Sequence, residues 1–165
     1  MLRFKNCGTH IKDEEYMNKM SGKGFQTKSL VEGFWVFERG KKNKYVYRVY
    51  YFRGMNKKDI SNKIKELEKQ EIEFVHKYSF WGIFRSQKDF HLYSREEELE
   101  VCYKIRKPML VAVILCPILI VLFFALGCLT SKIFFIVVTL LAIYYFICLY
   151  LMIEYTKLIK SLKTK

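Results

Sequence analysis

Two long apolar stretches dominate the C-terminal third of the chain. They cover residues 109–130 and 133–153, and neither contains Asp, Glu, Lys, Arg or His. A helix of about 20 residues rises roughly 30 Å, which is the thickness of the hydrocarbon core of a bilayer. The pattern therefore predicts a two-helix transmembrane hairpin over residues 109–153, with Ser131 and Lys132 in the turn.

The first 93 residues instead alternate short β-prone runs with helical patterns. The predicted order is strand, helix, strand, strand, helix, strand, with Asn56 capping the second helix. This order is typical of a ferredoxin-like sandwich. We therefore predict an α+β fold, in which a small ferredoxin-like cytosolic domain (residues 1–93) is followed by a stalk helix and the transmembrane hairpin.

The stalk helix is predicted over residues 94–108. Ser94 can cap it, because Glu97 stands at the third helical position, and the acidic first turn and basic last turn complement the helix dipole. The hairpin follows directly, and residues 154–165 form a basic tail. Pro117 removes one backbone donor from the first span and is expected to bend it. Because no ionisable residue accompanies this proline, we interpret the hairpin as an anchor or an association surface rather than a pore.

Cations are distributed unequally around the hairpin. Three precede the first span and four follow the second, whereas the turn carries Lys132 alone. The positive-inside rule therefore predicts a multi-pass protein of the plasma membrane with both termini in the cytoplasm. Five of the flanking cations are expected to contact anionic lipid headgroups: Lys104, Arg106, Lys107, Lys157 and Lys160.

Charge and composition narrow the chemistry. The net charge of +13 favours anionic partners, either lipid headgroups or nucleic acid. Five cysteines without a C-x-x-C pair predict neither a disulfide framework nor a zinc site, and the three histidines are far apart in sequence. No phosphate-binding loop, zinc-protease motif or nucleophile elbow occurs. We therefore expect no metal, no cofactor and no enzyme activity.

Aromatic and basic residues alternate along the predicted sheet, and this is the best indication of function. Four of them are predicted to form a recognition surface for a protein or small ligand: Trp35, Tyr47, Arg48 and Trp81. RNA-recognition domains stack bases on such a sheet face, but residues 45–52 lack the glycine-bearing pattern of those domains.

Three functions stay open at this point. The preferred one is a membrane-anchored binding or regulatory domain. The alternatives are an accessory subunit of an envelope transporter, acting through the hairpin, and a membrane-tethered nucleic-acid-binding module. Membrane lipid is the expected partner in all three, together with a protein partner or self-association through the hairpin, whereas nucleic acid is the partner we least expect.

Three stretches of the chain carry a family resemblance. They are residues 14–20 leading to Gly24-Phe25, residues 35–40 leading to 45–48, and residues 72–75 before 81–85. Between Asp13 and Lys88 the chain resembles the uncharacterised bacterial family known as domain of unknown function 2812 (DUF2812). The resemblance implies a bacterial protein with a C-terminal membrane hairpin, and it transfers no catalytic residue.

Overall fold

A computed structural model describes residues 1–4, 8–31, 33–129 and 133–164. Their elements are, in chain order, β1 (Leu2–Phe4), α1 (His10–Gly22), β2 (Phe25–Val31), β3 (Phe34–Arg39), β4 (Val46–Tyr51), α2 (Lys57–Glu68), β5 (Glu73–Tyr78), β6 (Trp81–Ser86), α3 (Arg95–Leu129) and α4 (Ile133–Thr164). The chain divides into two compact units, which we call the N-terminal unit (Met1–Ser94) and the C-terminal unit (Arg95–Lys165).

The N-terminal unit contains two three-stranded antiparallel sheets. Sheet A has the order β1-β3-β2, and sheet B has the order β4-β6-β5. The α+β class is confirmed, but the ferredoxin-like arrangement is not. Turns at Gly33 and at Ser79, where φ is positive, divide two predicted strands into hairpins. The unit therefore has six strands in two sheets, where four strands in one sheet were predicted.

The two sheets and their helices repeat one βαββ pattern with an offset of 47 positions. The β1–β3 ladder ends on the pair Phe4–Phe34, and the β4–β6 ladder ends on Tyr51–Trp81. The strand pairing is interrupted between Thr27 and Ser29 in β2, and at the equivalent place, between Phe74 and His76, in β5. The register of the second repeat thus reproduces that of the first.

The helix ends repeat in the same way. Thr9 caps α1 and Asn56 caps α2, and each side chain accepts a hydrogen bond from the backbone N–H three residues further on. Beyond the C-termini, Gly24 and Glu71 both have positive φ. When residues 2–39 are compared with residues 49–86, a single position, Phe37 and Phe84, carries the same amino acid. The repeat is therefore visible in the strand register and the helix ends, but it cannot be detected by comparing the amino-acid sequences of the two halves.

The main core of the N-terminal unit lies between α1 and the facing sides of both sheets. Its buried apolar residues come from α1, β3, β4 and β6: Tyr16, Met17, Met20, Trp35, Phe37, Tyr47, Val49 and Ile83. A second, smaller core is formed with α2 by Phe52, Leu67, Ile72 and Phe84. Alternate residues of β3 and β4 are buried, as expected for strands with one face on a core.

The C-terminal unit is a pair of long antiparallel helices. The predicted stalk and first span form one helix, α3, which continues through both Pro108 and Pro117. The Arg95 side chain near the start of α3 donates a hydrogen bond to the Leu162 carbonyl near the end of α4, over 2.6 Å. Those two helix ends are therefore adjacent. The predicted turn at Ser131 and Lys132 lies outside the described residues, as do Lys5 and Lys165.

Candidate functional site

Two of the four predicted recognition residues are core residues. Trp35 is 1 % exposed and Tyr47 is 0 % exposed. Both side chains point toward α1, because they occupy the inward positions of β3 and β4. The alternation of residues along a strand shows which side chains share a face, but it does not show which face is covered by a helix. This corrects the prediction, since neither ring is available on the surface to a partner.

Tyr47 is instead the centre of a buried polar network. Its hydroxyl accepts a hydrogen bond from the Thr27 backbone N–H, over 3.0 Å, and donates to Gln26 Oε1, over 3.2 Å. Gln26 in turn donates to the Lys41 carbonyl, and Ser21 of α1 donates to the Tyr45 carbonyl. Burial raises the pKa of the Tyr47 hydroxyl, which keeps it protonated as a donor. The network ties α1, β2 and β4 together.

Arg48 faces the other side of β4 and holds the chain that follows sheet B. Its Nε donates to the Phe90 carbonyl over 3.1 Å, and a terminal nitrogen lies 2.9 Å from Asp89 Oδ1. A carboxylate oxygen of Glu14 in α1 lies 3.7 Å from the other terminal nitrogen of the guanidinium. We call residues 87–94 the linker, because they lead into α3. Arg48 is therefore a contact between α1, β4 and the linker.

A second contact fixes the linker close to its end. The Tyr93 hydroxyl accepts a hydrogen bond from the Tyr51 backbone N–H. The Tyr93 ring also stacks on Tyr50, with 4.9 Å between centroids and 12° between planes. The sequence gives no signal for this pairing, since Tyr51 and Tyr93 are 42 positions apart and belong to no recognisable motif.

Trp81 is half-buried in an aromatic cluster at the start of β6. Its ring lies 4.6 Å from Tyr51 and 5.0 Å from His10, on which it is stacked, with 19° between planes. Tyr78, directly across from Trp81 in the ladder, donates a hydrogen bond to Asp13 over 3.2 Å. We call His10, Tyr51, Tyr78 and Trp81 the aromatic cluster. Burial lowers the pKa of His10 to about 4, so its imidazole is neutral near pH 7.

The remaining ionic contacts of sheet B stabilise its surface. Arg85 binds both carboxylate oxygens of Glu73, over 2.9 and 2.7 Å, and stacks over Tyr45. This pairing lowers the pKa of Glu73. Within the described parts of the chain, no group of three or more His, Cys, Asp or Glu side chains is placed to hold a metal ion.

The predicted lipid-contacting cations gather at one end of the C-terminal unit. They lie near the adjacent ends of the two helices. Those on α3 are Lys104, Arg106 and Lys107, and those on α4 are Lys157 and Lys160. Lys104 and Lys107 are both exposed, and Lys104 pairs with Glu100 over 2.8 Å. Both helices are long and apolar enough to cross a membrane, and most of their apolar surface is exposed.

Comparison with known proteins identifies one family. A model of the family described as protein of unknown function, DUF2812, matches residues 10–115. The chain belongs to the DUF2812 family. The matched region runs from the start of α1 through β2 to β6, the linker and the first part of α3, so it includes the aromatic cluster but not β1. No curated protein and no solved structure gives a significant match.

Proposed function

We propose that this DUF2812 protein is a membrane-anchored binding or regulatory protein of the bacterial plasma membrane. Its N-terminal unit would recognise a protein or small ligand at the cytoplasmic face. Its two apolar helices would act as the anchor, with both termini in the cytoplasm. The one-sided gathering of cations at the adjacent ends of α3 and α4 supports this orientation.

The observation that carries the proposal is the double role of Tyr51. Its ring contacts Trp81 in the aromatic cluster, and its backbone N–H is bonded to Tyr93 in the linker. A ligand that displaces or stacks on Trp81 therefore acts on a residue that also holds the chain leading into α3. This gives a physical route from a binding event to the membrane helix, provided that the ligand prefers one arrangement of the linker.

The test compares equivalent positions of the two repeats. A photo-crosslinking amino acid is placed at Trp81, and in a control protein at Phe34, the equivalent residue of the first repeat. Full-length protein is then irradiated in native membranes. We expect a discrete adduct with a protein or a water-soluble small molecule at Trp81, and no such adduct at Phe34, where only lipid adducts can form. Adducts that are the same at both positions contradict recognition by the aromatic cluster.

A second measurement tests the coupling to α3. Hydrogen exchange of the linker is recorded in the full-length protein before and after adduct formation at Trp81. Linker amides should exchange at a changed rate, because the Tyr51–Tyr93 bond is disturbed. If an adduct forms but the exchange rates of the linker amides do not change, the binding function is supported and the regulatory function is rejected.

The exposed apolar surface of the hairpin supports one alternative, an accessory subunit that binds a transporter through its helices. Most of this surface is not covered by the partner helix. Exchanging residues 109–153 for an unrelated two-span anchor separates the two functions. Loss of the cellular phenotype with this exchange would favour the subunit, and its retention would favour recognition by the N-terminal unit.

The nucleic-acid alternative has less support, because Trp35 and Tyr47 are buried and cannot stack on bases. The exposed cations still allow binding through phosphates, which would be strongest at low salt. Binding of the full-length protein to single-stranded RNA or duplex DNA at low salt, weakened by Lys57→Ala on the exposed face of α2, would favour this alternative.

A further inference from the structure

One end of the N-terminal unit carries exposed apolar side chains. Phe4, Val31, Phe34 and Phe80 are 68 %, 51 %, 42 % and 50 % exposed. The first three lie side by side in sheet A, because Phe34 pairs with Phe4 on one side and with Val31 on the other. The Phe4 and Phe34 rings are 5.5 Å apart. Contiguous exposed apolar surface of this kind is uncommon on a soluble protein and marks an interaction site.

Phe80 belongs to the same end, although it is in the other repeat. Trp35, next to the β2–β3 turn, contacts Tyr78, next to the β5–β6 turn, with 6.4 Å between ring centroids. The Leu30 carbonyl near the end of β2 is 3.1 Å from His76 Nε2 near the end of β5. The two hairpin turns therefore point in the same direction. We call Phe4, Val31, Phe34 and Phe80 the apolar end.

The chain also leaves the N-terminal unit at this end. The Tyr93 hydroxyl is bonded to the backbone N–H of Tyr51, the last residue of β4. Tyr51 pairs with Trp81, the residue that directly follows the β5–β6 turn. Ser94 follows, and then α3, whose apolar stretch starts at Met109. Tyr93, close to the C-terminal end of the unit, is thus held on the same side as the β5–β6 turn.

The charge of the N-terminal unit favours an anionic surface as the partner of the apolar end. The N-terminal unit contains twenty Lys and Arg residues and eleven Asp and Glu residues, a net charge of +9. At the apolar end, the exposed Arg53 guanidinium lies 5.3 Å from the Phe80 ring, and Arg3 is exposed between Leu2 and Phe4 in β1. Aromatic and aliphatic side chains beside cations are the combination that binds the interfacial region of anionic bilayers.

A second copy of the chain fits this surface less well. Antiparallel pairing of β1 with its own copy, with Leu2 opposite Phe4, places Arg3 opposite Arg3. Like charges directly across a strand pair are destabilising. We propose that the apolar end inserts into the headgroup region of an anionic bilayer. The inference rests on the membrane location given under the proposed function.

Hydrogen exchange of the full-length protein in lipid nanodiscs tests this inference. The discs contain one chain each, with phosphatidylcholine alone or with roughly one quarter phosphatidylglycerol. We expect the amides of Gly33 at the β2–β3 turn, and of Ser79 and Phe80 at the β5–β6 turn, to exchange at least about threefold more slowly in the anionic discs. Amides of the exposed β3–β4 turn, residues 40–44, serve as an internal reference and should not change.

Matched variants separate insertion from other effects. Phe34→Ser combined with Phe80→Ser should abolish the lipid-dependent protection, and Phe80→Ser alone should reduce it. The control, Lys41→Ala with Lys42→Ala, removes two exposed cations in the β3–β4 turn and should keep the protection. Because each of the two phenylalanine rings is about half exposed and neither belongs to the buried core, the unit should keep a cooperative thermal transition, which shows that the variant is folded.

Each outcome of the exchange experiment leads to a different conclusion about the apolar end. Equal exchange at the turns in both lipids, with the chain incorporated, overturns the insertion but leaves the proposed function standing. Failure of the chain to enter discs at all overturns the membrane location and the inference with it. Protection that appears only when two chains share a disc shows that a second copy occupies the apolar end, and this also overturns the inference.

Discussion

The Asn18 carboxamide bonds both backbone groups of Tyr47. Its Oδ1 accepts from the Tyr47 N–H over 2.7 Å, and its Nδ2 donates to the Tyr47 carbonyl over 3.1 Å. Asn18 thus replaces a neighbouring strand at the open edge of β4. Glu14 does the same for the Val49 N–H, over 2.8 Å. Helix α1 therefore closes an edge that would otherwise be available for pairing with another chain.

Substitution of Asn18 by Ala should destabilise the N-terminal unit by about 1–3 kcal/mol, because the Tyr47 N–H loses the Asn18 side chain as its partner and the Tyr47 carbonyl keeps only its bond from Arg48. Both tryptophans, Trp35 and Trp81, lie in this unit, so their fluorescence follows its unfolding in the full-length protein. Lys19→Ala, at the next and exposed position of α1, is the control and should change the stability by less than about 0.5 kcal/mol. Equal stability of the two variants would show that the edge contacts contribute little.

Gly82 should tolerate no side chain. A Cβ built on it would clash with the ring of Phe52, whose Cζ lies 2.9 Å away, and Phe52 is itself buried. We expect Gly82→Ala to cost about 1–3 kcal/mol of unfolding free energy through overpacking. In the double variant Gly82→Ala with Phe52→Leu, the loss of unfolding free energy should be smaller than the sum of the losses in the two single variants, since the smaller side chain relieves the clash. Simple additivity would contradict this explanation.

The two long apolar helices were the most predictable feature of the chain, because an uninterrupted apolar run specifies a long helix without reference to the rest of the fold. The Asn56 cap was predictable for a similar reason, since its partner is the backbone N–H of Asp59, three residues away. Local signals of this kind need no knowledge of the tertiary structure.

The candidate site was less predictable, because it depends on long-range contacts. The burial of Trp35 and Tyr47 depends on which strand face α1 covers, and alternation alone leaves this undecided. The contact between Tyr51 and Tyr93 forms across 42 positions. The 47-residue repeat has one shared amino acid, Phe37 and Phe84, so it could be found only from strand register and helix caps.

Arg48 should hold the linker on sheet B. Arg48→Met removes the bond to the Phe90 carbonyl and the ion pair with Asp89 while keeping the aliphatic part of the side chain. We expect amides of the linker to exchange about tenfold faster, corresponding to roughly 1.4 kcal/mol of local stability. Arg39→Met, which changes an exposed arginine at the end of β3, should leave linker exchange as it is. Linker exchange that is the same in both variants would show that other contacts hold this segment.

Lys107 should contribute more to anionic lipid binding than Lys104. Both lysines are exposed, but the Lys104 ammonium is already paired with Glu100 over 2.8 Å, whereas Lys107 is about one turn nearer to the apolar stretch. Near a charged leaflet, one cation contributes about 1 kcal/mol, or roughly a fivefold change in affinity. Binding of phosphatidylglycerol to the detergent-solubilised protein, measured by native mass spectrometry, should weaken by about this factor in Lys107→Ala. A larger loss in Lys104→Ala would reject this ranking.

Buried His10 should make the N-terminal unit less stable in mild acid. Burial lowers its pKa from 6.5 to about 4, so the unfolded chain binds a proton between these values and the folded protein does not. Stability is therefore complete above about pH 6.5 and falls as the pH decreases toward 4, by up to roughly 3 kcal/mol. Glu73, whose pKa is lowered from 4.5, starts to lose its contribution only as the pH falls to about 4.5, so the loss between about pH 6.5 and pH 5 reports His10. Unfolding followed by tryptophan fluorescence should show this decline in the wild type and in His91→Gln, which changes an exposed histidine, but not in His10→Gln. A decline that persists in His10→Gln would assign it to another group.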